Sequence, residues 1–596
     1  MNDRELSAII KQSDLFSDFT PEDILLIQPY FEKVAKKKEE ILIHQGDSSD
    51  SFFVLLNGKL VSFFRKENGE EKVIGVINSG ETIGELGVIS GEPRSLTVKA
   101  LTDAELLKLS GEIFLKICID NPDLTVKIMK IITRRAQRTI RLISQNDKKR
   151  LIIFFSANEE ILVEPFKEVI RLQLLGKAFL FLDEEGLSTE KIVQVVQNSA
   201  TENKDVVIFI KKMNLDVFQH IADHILSFYL IIQDSQTAEL TTDVKNILNH
   251  LQTNKIKQEL IVLHEEQKSY LNTNSWLSVT DFYFYHHVNA TDKNSISRFM
   301  RFMMGNPIAL VLGGGCAKGF CHFGVIKALL ENNLPIDIIG GTSTGSIVGG
   351  CYVSALNYDK ALNIFLRGFE LTPATVSFRN ITWPFVSIFS GDPLTTFGQG
   401  LFGEKKIEDL LLPFLCVSSN ISTKTEHIHR KGILWEAIRA SSAIPVFWPP
   451  MVMNGQLHYD GSILNQLPVD VIRNLLGPRA IIIASELSVA EEDPVFYNFP
   501  PAFNLKNALL YKLGIKREHY QFPQFMEAFF RALFLGASYG ARKNGALADI
   551  LIKPNLREFG LFKLSPEQVQ QLIDIGYREM QEAIKKTNIF DGIRAC

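Results

Sequence analysis

Two short apolar segments, each running into a glycine-rich turn and then a helical pattern, constrain the C-terminal half of this chain more than any other feature. The first is Ile308-Ala309-Leu310-Val311-Leu312, followed by Gly313-Gly314-Gly315-Cys316-Ala317-Lys318-Gly319 and a helix from about Gly319. The second is Ile336 to Gly340, followed by Gly341 to Ser346 and another helix. Strand–turn–helix units in tandem build a parallel βαβ sheet, and ligands of such open sheets bind at the carboxyl ends of the strands, where both turns fall.

The second turn reads Gly341-Thr342-Ser343-Thr344-Gly345, a G-x-S-x-G sequence between a strand and a helix. A nucleophilic serine needs such a strained turn, with glycines that let backbone and substrate approach and a helix N-terminus whose positive potential meets a developing oxyanion. The upstream glycines expose successive N–H groups beside a helix start, which suits a phosphate or a carbonyl oxyanion. A dinucleotide site does not fit: the spacing is not G-x-G-x-x-G, and Asp337 precedes its strand instead of ending it. A serine nucleophile also requires a base. His427 and His429 flank Ile428 in a strand-like run and His322 sits inside the first helix, positions that read as surface or structural histidines. The other candidate is Asp460, in His458-Tyr459-Asp460-Gly461-Ser462, because a carboxylate beside the hydroxyl can take its proton directly.

With 596 residues the chain should hold three to five domains, at roughly 100 to 200 residues each. A hydrophobic fraction of 46% and a charged fraction of 22% are ordinary for globular proteins. The formal charge of -4 provides no basic field, so nucleic acid is not an expected partner. Six cysteines without C-x-x-C spacing encode neither a disulfide framework nor a zinc site, and no metal is expected. The start Met1-Asn2-Asp3-Arg4-Glu5 lacks the features of a secretory signal, and no apolar stretch spans about 20 residues. A cytoplasmic protein, either soluble or peripheral at a membrane, is the expectation. From about Leu15 to Ala100, short alternating runs separated by glycine turns (Glu40 to Gln45, Phe52 to Leu56, Lys59 to Phe64, Lys72 to Ile77, Leu96 to Ala100) predict a small β-barrel or sandwich. Helical spacing from Leu124 to Arg141 predicts a closing helix, and Gln145 to Arg150 a polar linker. From Leu151 to about Asn289, apolar runs alternating with helical patterns predict a parallel α/β domain without a phosphate cradle, read as a structural spacer.

Within the N-terminal region, Ile83-Gly84-Glu85-Leu86-Gly87 through Gly91-Glu92-Pro93-Arg94-Ser95-Leu96 has a chemistry of its own. Glu85 can accept from a ribose hydroxyl, while Arg94 and backbone N–H groups can meet a phosphate anion. A structural Glu85–Arg94 ion pair is the plainer alternative. The stretch resembles the phosphate-binding cassette of cyclic nucleotide-binding domains. That resemblance implies Gly84, Glu85, Leu86, Arg94, Ser95 and Thr139 as contacts to cAMP or cGMP, with Leu96 crowding the pocket and a lean to cAMP.

The Gly313 to Gly319 loop, the Gly341 to Gly345 turn and Asp460-Gly461 together resemble the three signature blocks of patatin-like phospholipases. Gly305 to Leu312, Phe389-Ser390-Gly391, Lys406 to Leu410, Leu434-Trp435 with Arg439-Ala440-Ser441, Pro449-Pro450 and Asn465 to Pro468 look like the neuropathy target esterase branch of that family. The resemblance implies a Ser-Asp dyad with Ser343 as nucleophile and Asp460 as base. It also implies an oxyanion hole of Gly313, Gly314, Gly315 and Cys316, the last standing where a smaller residue is usual. The expected organisation is multidomain: a cyclic nucleotide-binding-like β-barrel with closing helices at 1–145, an α/β spacer at 146–300, and an α/β patatin-like hydrolase domain at 301–596. The expected function is a serine lysophospholipase or phospholipase without a catalytic cofactor, responsive to a cyclic nucleotide. The alternatives are a nucleotide sensor or interaction module with little activity, and an acyltransferase. Phe496 to Tyr520 reads as an interfacial element or a packed helical hairpin.

Overall fold

The computed structural model describes residues 16, 21–65, 71–120, 151–157, 164–174, 179–182, 189–201, 204–211, 215–233, 240–264, 273–375, 380–383, 385–487, 496–498, 525–560, 564–587 and 589–590. The chain forms two compact units, 1–149 and 150–596.

The first unit contains two four-stranded antiparallel sheets. Strands Glu32–Lys36, Ala104–Ser110, Ser51–Asn57 and Thr82–Ile83 form one, and Ile41–Ile43, Thr97–Ala100, Lys59–Arg65 and Glu71–Asn78 the other. Of the barrel or sandwich anticipated from the alternating runs, this is the sandwich, built of two sheets. Glu32–Lys36 was not anticipated, because its charged sequence leaves it mostly exposed. A helix at Gly111–Asp120 follows the last strand, and the helix expected over Leu124 to Arg141 lies outside the described residues.

In the second unit, six parallel strands (Leu151–Ser156, Phe179–Leu182, Asp205–Ile210, Ile225–Gln233, Lys257–His264, Phe284–Asn289) form the sheet predicted for the spacer, the last of them not anticipated as a strand. Its unbroken apolar runs have a simple cause. Leu151, Ile153 and Phe155 enter one core and Ile152 and Phe154 another, so both faces are covered. The sheet ends on a helix, Lys293–Met303, that crosses the expected boundary at 300, and its Arg301 bonds Asp337 through Nε and Nη2 at 2.8 and 2.7 Å.

The second sheet has eight strands. Phe414–Asn420, Ile338–Thr342, Ile308–Leu312, Ile481–Ser485 and Ile550–Ile552 run parallel, while Thr425–His429, Gln456–Asp460 and Met451–Met453 extend it antiparallel. Alternation again divides the cores: Ile308, Leu310 and Leu312 face one helical layer, Ala309 and Val311 the other. The two sheets are joined directly. Phe284 enters the core of the second sheet, Tyr285 Oη donates to Arg430 O at 2.8 Å, and His287 Nε2 donates to Glu408 O at 2.8 Å. Among the described residues no helix is long and apolar enough to cross a membrane.

Candidate active site

Strand Ile338–Thr342 ends at Ser343, and helix Thr344–Ala355 starts immediately after it. Ser343 has φ 53° and ψ -121°, a region strained for a non-glycine residue. The turn is held in this form by its contacts. Ser343 N donates to Ser441 Oγ at 3.0 Å, and Ser346 donates to Ser343 O through N at 2.9 Å and through Oγ at 2.6 Å. A side chain at Gly345 would collide with Leu312 O, which explains the second glycine of the motif.

Asp460 closes strand Gln456–Asp460 opposite Ser418. Its backbone N–H donates to Ala443 O at 2.9 Å. Ser343 Oγ donates to Asp460 Oδ2 at 2.7 Å, and Ser462 N–H donates to Oδ1 at 2.8 Å. Both side chains are buried, Ser343 at 7% and Asp460 at 1% exposure. Burial raises the Asp460 carboxyl to about 6, against the opposing hydrogen bonds from Ser343 and Ser462. The carboxylate is thus ionised at neutral pH yet basic enough to accept a proton.

Among the described residues no histidine hydrogen-bonds either member of this pair. His429 Nε2 and His458 Nδ1 meet Ser418 Oγ at 2.7 and 2.9 Å. His322 donates from Nε2 to Gly313 O at 2.9 Å and accepts from Ser485 Oγ at Nδ1, also at 2.9 Å. Burial lowers it to about 4. It supports the glycine loop and stays neutral.

The loop itself divides in two. Gly313 N–H donates to Ser485 O at 3.0 Å and Gly314 N–H to Gln466 O at 3.1 Å, so these two N–H groups are already engaged. Of the four residues expected to form an oxyanion hole, Gly315 and Cys316 are the two whose N–H groups meet no protein acceptor among the described residues. Gly314 still matters through space: a Cβ there would fall against Ser462 Oγ and 3.3 Å from Ser343 Cβ. Cys316 takes φ 53°, and desolvation, reinforced by the Asp460 charge, pushes its thiol up to about 12, which makes it inert as a nucleophile.

Beside Cys316 lies an apolar cluster of Phe389, Ile444 and Trp448, joined by Leu394, Phe447 and Phe529. A hairpin over 380–390 builds part of this wall, with Ile388 N–H donating to Val446 O at 2.7 Å and Phe389 N–H to Phe447 O at 3.1 Å. Its tip carries Trp383 and Phe385 at 78% and 86% exposure. The contacts of Ser441, Ser462 and this wall were not read from the sequence, because serines and aromatics give no local signal of a tertiary role, whereas His322 is a structural histidine as expected.

In the first unit, helix Glu85–Ser90 starts after Gly84, and Glu85 and Arg94 are both buried. Arg94 Nη1 donates to Gly84 O at 2.7 Å, Nη2 donates to Ser51 O, and Asp50 approaches at 4.0 Å. Desolvation lowers the guanidinium, opposed by Asp50, Asp47 and Glu85. Ser95 is exposed; the Leu86 side chain and Thr139 lie outside the described residues.

Residues 310–473 match the family described as patatin-like phospholipase, and residues 33–121 match the cyclic nucleotide-binding domain. The chain is therefore a multidomain protein that carries an N-terminal cyclic nucleotide-binding domain of sandwich form and a C-terminal patatin-like phospholipase domain. It is similar to patatin-like phospholipase domain-containing protein 6 of Homo sapiens, 26% identical over 561 residues that cover 82% of this chain and 39% of that protein. Neuropathy target esterase sws of Drosophila melanogaster is 24% identical over 542 residues, covering 80% of this chain and 37% of its own length. Lysophospholipase nte1 of Neosartorya fischeri is 24% identical over 585 residues, covering 82% and 38%. The chain thus spans under two fifths of each of these relatives.

Proposed function

We propose that the protein is a serine lipid acyl hydrolase acting on phospholipid or lysophospholipid through a Ser343–Asp460 dyad. The observation that carries this reading is the 2.7 Å hydrogen bond from Ser343 Oγ to the buried Asp460 carboxylate, at the mouth of a glycine loop. Ser343 Oγ attacks the ester carbonyl and forms the C–O bond as its proton passes to Asp460 Oδ2. The carbonyl oxygen, now anionic, is received by the N–H groups of Gly315 and Cys316. Collapse breaks the bond to the alcohol, which leaves with the proton from Asp460. Water then enters, gives a proton to Asp460 and adds to the acyl carbon; collapse breaks the bond to Ser343 Oγ, which takes the proton back from Asp460, and the acyl group leaves as a carboxylic acid. The Phe389–Ile444–Trp448 wall suits the acyl chain. Trp383 and Phe385 at the hairpin tip suit peripheral contact with the lipid surface from which that chain is drawn. Lysolipid turnover by the wild type, lost in Ser343→Ala, tests the reading. An acyltransferase would share the acyl-enzyme, and would be recognised by transfer to an added alcohol in preference to water.

The base must be ionised to act. Since burial lifts Asp460 to about 6, kcat/KM is expected to be level above pH 7 and to fall about tenfold per pH unit below about 6. A pH profile on a soluble aryl ester checks this; a profile level down to pH 4 would exclude Asp460 as base.

We further propose that residues 1–145 bind cAMP or cGMP and that 146–300 link this sensor to a hydrolase domain at 301–596. Arg94, at 6% exposure, is the charged anchor. On binding, its guanidinium exchanges backbone carbonyls for the cyclic phosphate. Arg94→Ala should weaken nucleotide binding by about a hundredfold, measured by calorimetric titration. No heat from the wild type with either nucleotide at millimolar concentration would leave this unit a docking module.

A further inference from the structure

Arg439, on helix Leu434–Ser441, is buried to 6% exposure two residues before the serine that holds Ser343 N. Its Nη2 donates to Pro449 O at 3.2 Å. Its Nε and Nη1 are sealed from solvent and have no hydrogen-bond partner among the described residues. Among the described residues no carboxylate compensates the charge, and desolvation lowers the guanidinium to about 10. A buried charge in this state is costly, and native structures leave few such groups without a reason.

The neighbourhood adds positive potential instead of relieving it. Helix Asp392–Phe402 starts after Gly391, which has φ 77°; the Asp392 N–H donates to Ser390 Oγ at 3.3 Å and Pro393 has no N–H to offer. A Cβ at Gly391 would lie 2.8 Å from Arg439 Nη2, so the guanidinium sits against the positive end of that helix, and only glycine leaves it room. Asp392 on the first turn is exposed and forms no ion pair with Arg439. The Ser390–Gly391 turn continues directly from Phe389, part of the wall beside Cys316.

From the orphaned guanidinium, set against the start of helix Asp392–Phe402, we infer that Arg439 forms a subsite for a phosphoryl anion. This rests on the hydrolase reading only for its use: in catalysis the anion is the phosphate of the phospholipid leaving group, whereas free phosphate would occupy the same place. A phosphoryl group suits the site because it brings full negative charge and several acceptor oxygens to a planar donor that cannot lose its proton. Since the two nitrogens are closed to water, an anion reaches them only if the packing around Gly391 yields.

Two arms test this on the full chain. In the first, kcat/KM is measured for a lysophosphatidylcholine and for a monoacylglycerol of the same acyl chain. Arg439→Met should reduce the preference for the phosphate-bearing substrate at least tenfold, mainly through KM, and Arg439→Lys should restore part of it. Equal losses on both substrates, or an unchanged preference, would overturn the subsite and leave Arg439 a support for Ser441. In the second, inorganic phosphate at millimolar concentration should raise the melting temperature of Ser343→Ala, and should do so less for Ser343→Ala/Arg439→Lys. This arm needs no turnover, so it separates failure of the subsite from failure of the hydrolase reading. An equal shift with and without Arg439, or no shift in either protein, would overturn the inference.

Discussion

Ser343→Ala and Asp460→Asn are each expected to lower kcat/KM for ester hydrolysis by about 10⁴-fold or more, and the double variant should be scarcely worse than either single one. The two side chains share one 2.7 Å hydrogen bond and one proton, so removing either removes the function of both. Neither change should unfold the protein. Asn at 460 keeps an oxygen for Ser462 N–H and can donate its amide to Ser343 Oγ, and Ala at 343 leaves the backbone bonds to Ser441 and Ser346 in place. Steady-state kinetics with a soluble aryl ester, together with melting curves, checks both statements. Near-normal turnover by Asp460→Asn, with activity lost on replacing His322 or His458, would replace the dyad with a histidine-based mechanism.

Gly315→Val is expected to slow acylation by about 10²- to 10³-fold, the usual consequence of losing an oxyanion donor. A Cβ at 315 would lie 2.6 Å from Leu487 Cβ, so the loop must shift and carry the Gly315 and Cys316 N–H groups out of line with the carbonyl oxygen. Gly313→Ala provides the contrast. Its N–H is committed to Ser485 O, and an added Cβ would meet Ser485 O at 3.2 Å and Gln466 O at 3.3 Å, so it should cost stability more than acylation rate. Single-turnover acylation set against melting temperature distinguishes the two positions. If Gly313→Ala proved the slower enzyme at equal stability, the donors would have to be reassigned to the first half of the loop.

Much of this architecture was legible in the chain because it depends on local rules. Apolar runs such as Ile308 to Leu312 and Leu151 to Phe155 mark strands covered on both faces, and the glycines at 341 and 345 mark a turn too tight for side chains. The charged strand Glu32–Lys36 was not legible, since its pattern is that of a solvated edge. Nor was Phe284–Asn289, whose buried His286 is tolerated only because Glu259 meets it at 2.6 Å from the neighbouring strand.

The sequence by itself determined the nucleophile turn, the glycine loop and the cassette around Glu85 and Arg94, because each is a contiguous segment whose backbone requirements are written in glycine spacing. It offered Asp460 as a candidate base, assigned it to Ser343 only through the family resemblance, and did not distinguish among the N–H groups of the glycine loop. The tertiary structure brings Asp460 within 2.7 Å of Ser343 from 117 residues away and leaves two Arg439 nitrogens buried without a hydrogen-bond partner among the described residues. It also commits Gly313 and Gly314 to carbonyls far along the chain. The physical reason is the same in each case: a hydrogen-bond donor is spent or spared according to which acceptor packing brings beside it, and that acceptor lies in another part of the chain.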